Sequence, residues 1–154
     1  MQLPDANVRS SSYLIAETQV QCPQCSRPAR VLAIGLAPDH EMLVDDEWEQ
    51  VDASAFIFYV GSLPEDVSAL LVERSPEFRQ THAVSPPESF WANHCPHCEA
   101  VFSDDQLHCE PGGFMPTSVS EAQAVSLSHI QHEFSALASG YALEPEFFAS
   151  MLER

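Results

Sequence analysis

No lysine occurs in this chain of 154 residues; its six basic side chains are all arginines, set against 23 Asp and Glu for a formal net charge of -17. A surface of that sign repels phosphate backbones and anionic lipid over most of its extent, which weighs against nucleic acid and membranes as partners. Glycine is scarce, at five residues, and no P-loop, dinucleotide glycine run or G-x-S-x-G elbow is present. No apolar run approaches the ~18 residues of a membrane-spanning helix, and the first twenty residues lack a basic-then-apolar leader. A cytoplasmic location is expected on that basis. Repeats and low-complexity tracts are missing as well. Hydrophobic residues nevertheless make up 45% of the chain, enough to fill the core of one ordinary domain.

What is present is a pattern of cysteines. Cys22-Pro23-Gln24-Cys25 and Cys95-Pro96-His97-Cys98 are two C-P-x-C pairs, and Cys109 is the fifth cysteine. An odd number fits poorly with a disulfide framework, whereas two C-x-x-C pairs fit a tetrahedral metal. A two-residue spacer lets both thiolates of a pair face one ion while nearby backbone N–H groups bond the sulfurs. Two such knuckles complete four sulfur ligands at ~2.3 Å and leave no open position. Structural Zn²⁺ on Cys22, Cys25, Cys95 and Cys98 is therefore the expected cofactor, with His94 and His97 placed to support the ligands from behind. Two features are unusual. Ser26 and Glu99 stand where a knuckle usually carries glycine at positive φ, and residues 26–94, 69 in number, separate the pairs.

Tyr13–Val20 and Arg30–Leu36 read as strands on either side of the first pair, and Ser89–His94 and Ala100–Phe102 as strands on either side of the second. This predicts an α+β fold: a zinc-ribbon-like pair of β-hairpins with a long α/β insertion and C-terminal helices. The chain is expected to be one zinc-stapled domain over 1–154, with 38–88 as the insertion and 117–154 as a helical C-terminal part. Within the insertion, Phe56–Val60 reads as a strand. Ser62-x-x-Glu65 opens a helix carrying Val67, Leu70, Leu71 and Arg74, and Pro76, Pro86 and Pro87 bound a loop. Ser118-x-x-Glu121 is expected to cap the longest helix, with Leu127, Ile130, Phe134, Leu137 and Tyr141 along one face and Gly140 at its stop. A short helix is expected after Pro145, with Phe147, Phe148, Met151 and Leu152. Trp48 and Trp91 read as core or semi-buried aromatics, His129 and His132 as solvent-facing, and His108-Cys109 as a partly buried His beside an ordinary thiol.

The stretch Asn93–Cys98, followed by Asp105–Phe114, resembles bacterial zinc-ribbon-like proteins of unestablished task with paired C-P-x-C knuckles, which also carry an earlier C-x-x-C after an N-terminal strand. The resemblance spans residues 13–37 and 89–116. It implies metal ligation by Cys22, Cys25, Cys95 and Cys98 and no catalytic residue. It departs at Asp104-Asp105, where a Gly-Asp pair is expected. The expected function is a non-enzymatic protein-interaction module with a structural zinc, its partner another protein of basic character. The acidic segment 39–52, with Met42 and Trp48 as apolar anchors, is the expected contact; the plainer reading is a solvated acidic face. Two other readings stay open. One is a thiol–disulfide oxidoreductase using the Cys95-Pro96-His97-Cys98 dithiol. The other is a nucleic-acid-binding ribbon, for which only Arg27 and Arg30 speak.

Overall fold

A computed structural model describes residues 6–82, 89–143 and 148–153. Eleven strands dominate it: β1 (Val8–Ser10), β2 (Tyr13–Gln21), β3 (Pro28–Leu36), β4 (His40–Val44), β5 (Glu47–Val51), β6 (Ala55–Ser62), β7 (Phe78–His82), β8 (Ser89–Asn93), β9 (Ser126–Ile130), β10 (Phe134–Leu143) and β11 (Leu152–Glu153). The α-helices among the described residues are α1 (Glu65–Arg74), α2 (Asp104–Cys109) and α3 (Val119–Gln123). All eleven strands join one sheet, ordered β11-β9-β2-β3-β6-β10-β1-β4-β5, with β8 branching from β6 and pairing β7. Every pairing is antiparallel except β9 with β11. The fold is thus β-rich, and the α+β expectation is corrected.

The largest correction falls on the expected C-terminal helices. Ser118 does cap a helix, its hydroxyl accepting from the Glu121 N–H at 3.1 Å. That helix ends at Gln123, after five residues. The supposed helical stripe is divided between β9 and β10. Phe134, Ala136 and Gly140 are buried on alternate positions of β10, so a period of two governs where the larger side chains suggested 3.6. Gly140 is needed there: a Cβ would sit 2.2 Å from the Phe58 ring. A 3-10 turn over Phe148–Ser150 stands in the region of the last expected helix. Pro86, Pro87, Pro145 and Phe147 lie outside the described residues. The insertion helix does form as α1, with Val67 and Leu71 buried, but its cap position is Pro64, and Ser62 still belongs to β6.

Strands β2 and β3 are buried on both faces, which explains why they read as continuous apolar runs. One face sends Ala16, Val31 and Ala33 into a cluster with Phe56, Phe102, Leu107, Phe114 and the knuckle residues Cys22 and Cys95. The other sends Tyr13, Ile15, Leu32 and Ile34 against Val67 and Leu71 of α1 and Phe78 of β7. The metal-side cluster is sealed by α2, and Asp104 at its start is buried. Its carboxylate accepts the N–H of Tyr59 at 2.8 Å, where Tyr59 turns left-handed (φ 50°) inside β6.

Burial lifts the Asp104 carboxyl to about 6, against the opposing N–H of Tyr59 and with help from Asp105. The folded chain therefore holds this proton more tightly than the unfolded one. The stability so gained is full below pH ~4 and is lost as the pH rises through about 6. Asp104→Asn keeps an oxygen for Tyr59 and carries no charge. It is expected to melt higher than the wild type at pH 8, by on the order of 1–3 kcal/mol, with the gap narrowing at pH 5.5. Thermal melts at the two pH values check this, and an unchanged gap would refute it.

Candidate metal centre

The first C-P-x-C pair occupies the turn of the β2–β3 hairpin. The second follows β8 and is closed by the bridge between His94 and Val101. The two turns repeat one another bond for bond. The Cys22 N–H donates to Arg27 O at 2.9 Å and the Cys95 N–H to Ala100 O at 2.8 Å. The N–H of Ser26 donates back to Cys22 O, and that of Glu99 to Cys95 O, both at 2.9 Å. The N–H of Gln24 points at Cys22 Sγ and that of His97 at Cys95 Sγ, each at 3.4 Å. Ser26 and Glu99 take φ of 64° and 63°, the left-handed state expected of this position, and supply it without glycine. Cys22 and Cys95 are buried, Cys25 is half-buried and Cys98 is exposed.

The four sulfurs lie within 4.8 Å of one another, and this group can hold a metal ion. Across the knuckles, Cys22 Sγ is 3.7 Å from Cys98 Sγ, and Cys25 Sγ is 3.7 Å from Cys95 Sγ. Sulfurs on ~2.3 Å arms around a tetrahedral zinc stand ~3.8 Å apart, whereas a disulfide needs ~2.05 Å. The donor set and its spacing therefore fit zinc. The thiols already share charge unequally. Cys22 is drawn down to about 7, first by the backbone N–H of Cys25, against burial, with the Gln24 N–H and the neighbouring thiols helping. At Cys98 the Ala100 N–H pulls downward, but burial and the other three thiols together push the group to about 12. Cys95 is lowered as well: burial opposes this, but the backbone N–H groups of Cys98 and His97 and the Cys25 thiol outweigh it.

A residue without an expected role holds the halves together. Asn93, buried at the end of β8, accepts the Leu32 N–H through Oδ1 at 2.8 Å and donates from Nδ2 to Leu32 O at 2.9 Å. This side chain takes the place of a paired strand along β3. Its own carbonyl accepts the Phe102 N–H at 2.9 Å, which closes the second knuckle. The only signal in sequence is a polar amide two residues before a ligand, at the end of an apolar strand. His40 is a second unforeseen buried group, bonded to Ala37 O at 2.9 Å and Tyr141 Oη at 2.6 Å.

The other candidate histidines are dispersed. His94 is buried, its Nδ1 near Glu77 O and Ala92 O at 3.1 Å each, and His97 is exposed. Neither ring bonds a sulfur among the described residues. His129 is exposed, with Nε2 3.0 Å from Ser12 Oγ, and His132 pairs with Asp66 at 3.0 Å. His108 lies flat between Phe58 and Phe114, and burial drives it down to about 3, so it is neutral. Cys109 is exposed. The acidic segment is no irregular loop: it is the β4–β5 hairpin, turned by Asp45 and Asp46 at φ 49° and 66°. Trp48 lies under Arg9 at 4.0 Å, and Arg9 also pairs with Glu41 at 3.0 Å. No helix among the described residues is long and apolar enough to cross a membrane. No protein-family model, curated protein or solved structure matches the chain.

Proposed function

We propose that the protein is a non-enzymatic interaction module stapled by one structural Zn²⁺ on Cys22, Cys25, Cys95 and Cys98. The observation that carries the metal half is the pair of 3.7 Å sulfur separations joining the two knuckles, which match the edges of a zinc tetrahedron. Four protein thiolates around zinc leave no position for a catalytic water, so the ion's task is to hold the turns together. His94 and His97 support the turns beside it, the first through backbone carbonyls and the second through its own N–H on Cys95. Elemental analysis of protein purified under reducing conditions tests this. One zinc per chain is expected; a metal content near zero with the fold intact would end the proposal.

The interaction half rests on charge. The β4–β5 hairpin carries Asp45, Asp46, Glu47 and Glu49, all exposed, at an edge of the sheet. The cations that could offset such a field are largely engaged: Arg30 and Arg74 with Glu17, Arg9 with Glu41, and Arg79 with Glu99. A basic protein is the partner such a surface attracts. Its charges speed encounter more than they set final affinity. Changing Asp45, Asp46, Glu47 and Glu49 to their amides is expected to cut recovery of a basic partner in pull-downs at low salt by about tenfold, and to flatten the salt dependence. Unchanged recovery and unchanged salt dependence would remove the hairpin from the proposal.

A further inference from the structure

Strand β2 is paired unequally on its two sides. With β3 it pairs from Leu14 to Gln21, but with β9 only from Tyr13 to Glu17. At that point the neighbouring chain turns away into α3, and the Thr18 hydroxyl catches Ala124 O at 3.3 Å. The register shows which groups this leaves open. Leu32 spends its N–H and C=O on Asn93, on the side of β3 away from β2. Because strand residues alternate, its partner Glu17 and then Gln19 and Gln21 must point their backbone groups away from β3. Gln21 stands opposite Pro28, whose missing N–H costs nothing in that orientation. Gln19 and Gln21 thus present two N–H and two C=O groups outward, and none of these bonds another described backbone group.

They open onto a cleft of about 530 Å³. Val20, Phe102 and Leu107 form its apolar floor, and Glu110 and Glu121 are the charged residues of its rim. No cation lines it among the described residues. We propose that this cleft takes an extended peptide segment of a partner, added antiparallel to β2 at Gln19–Gln21, with an apolar residue on the floor flanked by Lys or Arg on the same face. Side chains two apart share a face of a strand, so a basic–x–apolar–x–basic segment places both charges toward Glu110 and Glu121. A second copy of this chain fits poorly, because two bodies of charge -17 repel one another. This inference rests on the interaction-module reading but occupies a surface other than the β4–β5 hairpin.

The test uses the zinc-loaded full chain and a fluorescein-labelled peptide of sequence Thr-Lys-Thr-Val-Thr-Lys-Thr, followed by fluorescence polarisation. Saturable binding is expected at low salt. It should weaken at least tenfold with Gln19→Pro, which deletes an outward N–H and no ladder bond. It should weaken severalfold with the pair Glu110→Gln and Glu121→Gln. Because a proline variant can misfold, a peptide N-methylated at alternate amides probes the same pairing on the wild-type protein and should bind at least tenfold more weakly. Absent binding, equal binding of the Glu-for-Lys peptide, or indifference to both backbone blocks would overturn the proposal. Sedimentation showing a dimer that Gln19→Pro dissolves would overturn it in favour of a second copy. Loss of the cleft with hairpin-dependent partner recovery intact leaves the module reading standing. Peptide binding with no hairpin effect removes the hairpin alone.

Discussion

Serine at Cys25 is expected to release the zinc and, with it, the link between the two knuckles. The variant loses one thiolate of four, and the remaining three bind the ion too weakly to hold turns that are 69 residues apart, across 26–94. Structural zinc supplies on the order of 10 kcal/mol of apparent folding free energy in comparable modules, about the entire stability of an ordinary domain. Chelation of the wild type should have the same consequence as the substitution. Circular dichroism melts with and without a strong chelator, read beside metal content, check both. Cys22 and Cys95 are buried in the cluster with Phe102, Leu107 and Phe114, so losing the metal also unseats part of the apolar core. A chelated protein that melts where the loaded one does would refute this, and would leave four reduced thiols in an already rigid cradle.

The second large effect is expected at Asn93. Leucine there preserves roughly the volume of the side chain but abandons both Leu32 groups, and each buried, unpaired backbone group costs ~1–3 kcal/mol. A loss of about 2–6 kcal/mol follows, large against a total of ~5–15 kcal/mol. Leucine keeps the backbone carbonyl that takes the Phe102 N–H, so the variant is expected to bind zinc more weakly only through the lost tie between β8 and β3. Competition with a zinc indicator gives that affinity, and denaturant melts at saturating zinc give the stability. Asn93→Asp isolates the donor, since a carboxylate still accepts from Leu32 N–H but cannot donate to Leu32 O. Wild-type stability in the leucine variant would show that water replaces the amide at no cost.

The cysteine cluster was legible because four identical side chains at a short fixed spacing leave few alternatives to a shared centre. Their geometry extends that reading down to the left-handed Ser26 and Glu99, flagged as departures from glycine and found in the conformation glycine would take. Strands β2 and β3 and helix α1 were legible for a different reason: each carries one clear periodicity. The C-terminal third was misread because two periodicities overlap there. Leu127, Ile130, Phe134, Leu137 and Tyr141 follow a helix, but the residues that settle β10 are the small Ala136 and Gly140, which a hydrophobic stripe overlooks. The Ser118 cap reinforced the error, since a real cap says where a helix starts and nothing about its length. The Asn93 clamp and the open edge of β2 depend on which distant strands meet. That information lies in pairings across the whole chain, such as Asn93 with Leu32 and Glu17 with Ser126, and in no local pattern.

The separation of the two knuckles has a consequence for synthesis. A ribosome adding ~5–20 residues per second needs several seconds to travel from Cys25 to Cys98. Throughout that interval the nascent chain carries the Cys22–Cys25 half-site without its partner knuckle. On a polysome, the half-site of one chain would be able to meet the late half-site of the chain ahead of it before its own has emerged. A zinc ion closed between those two chains would have the same four sulfurs and the wrong connectivity. A metal ion that arrives before the second knuckle would find only two of the four sulfurs on its own chain.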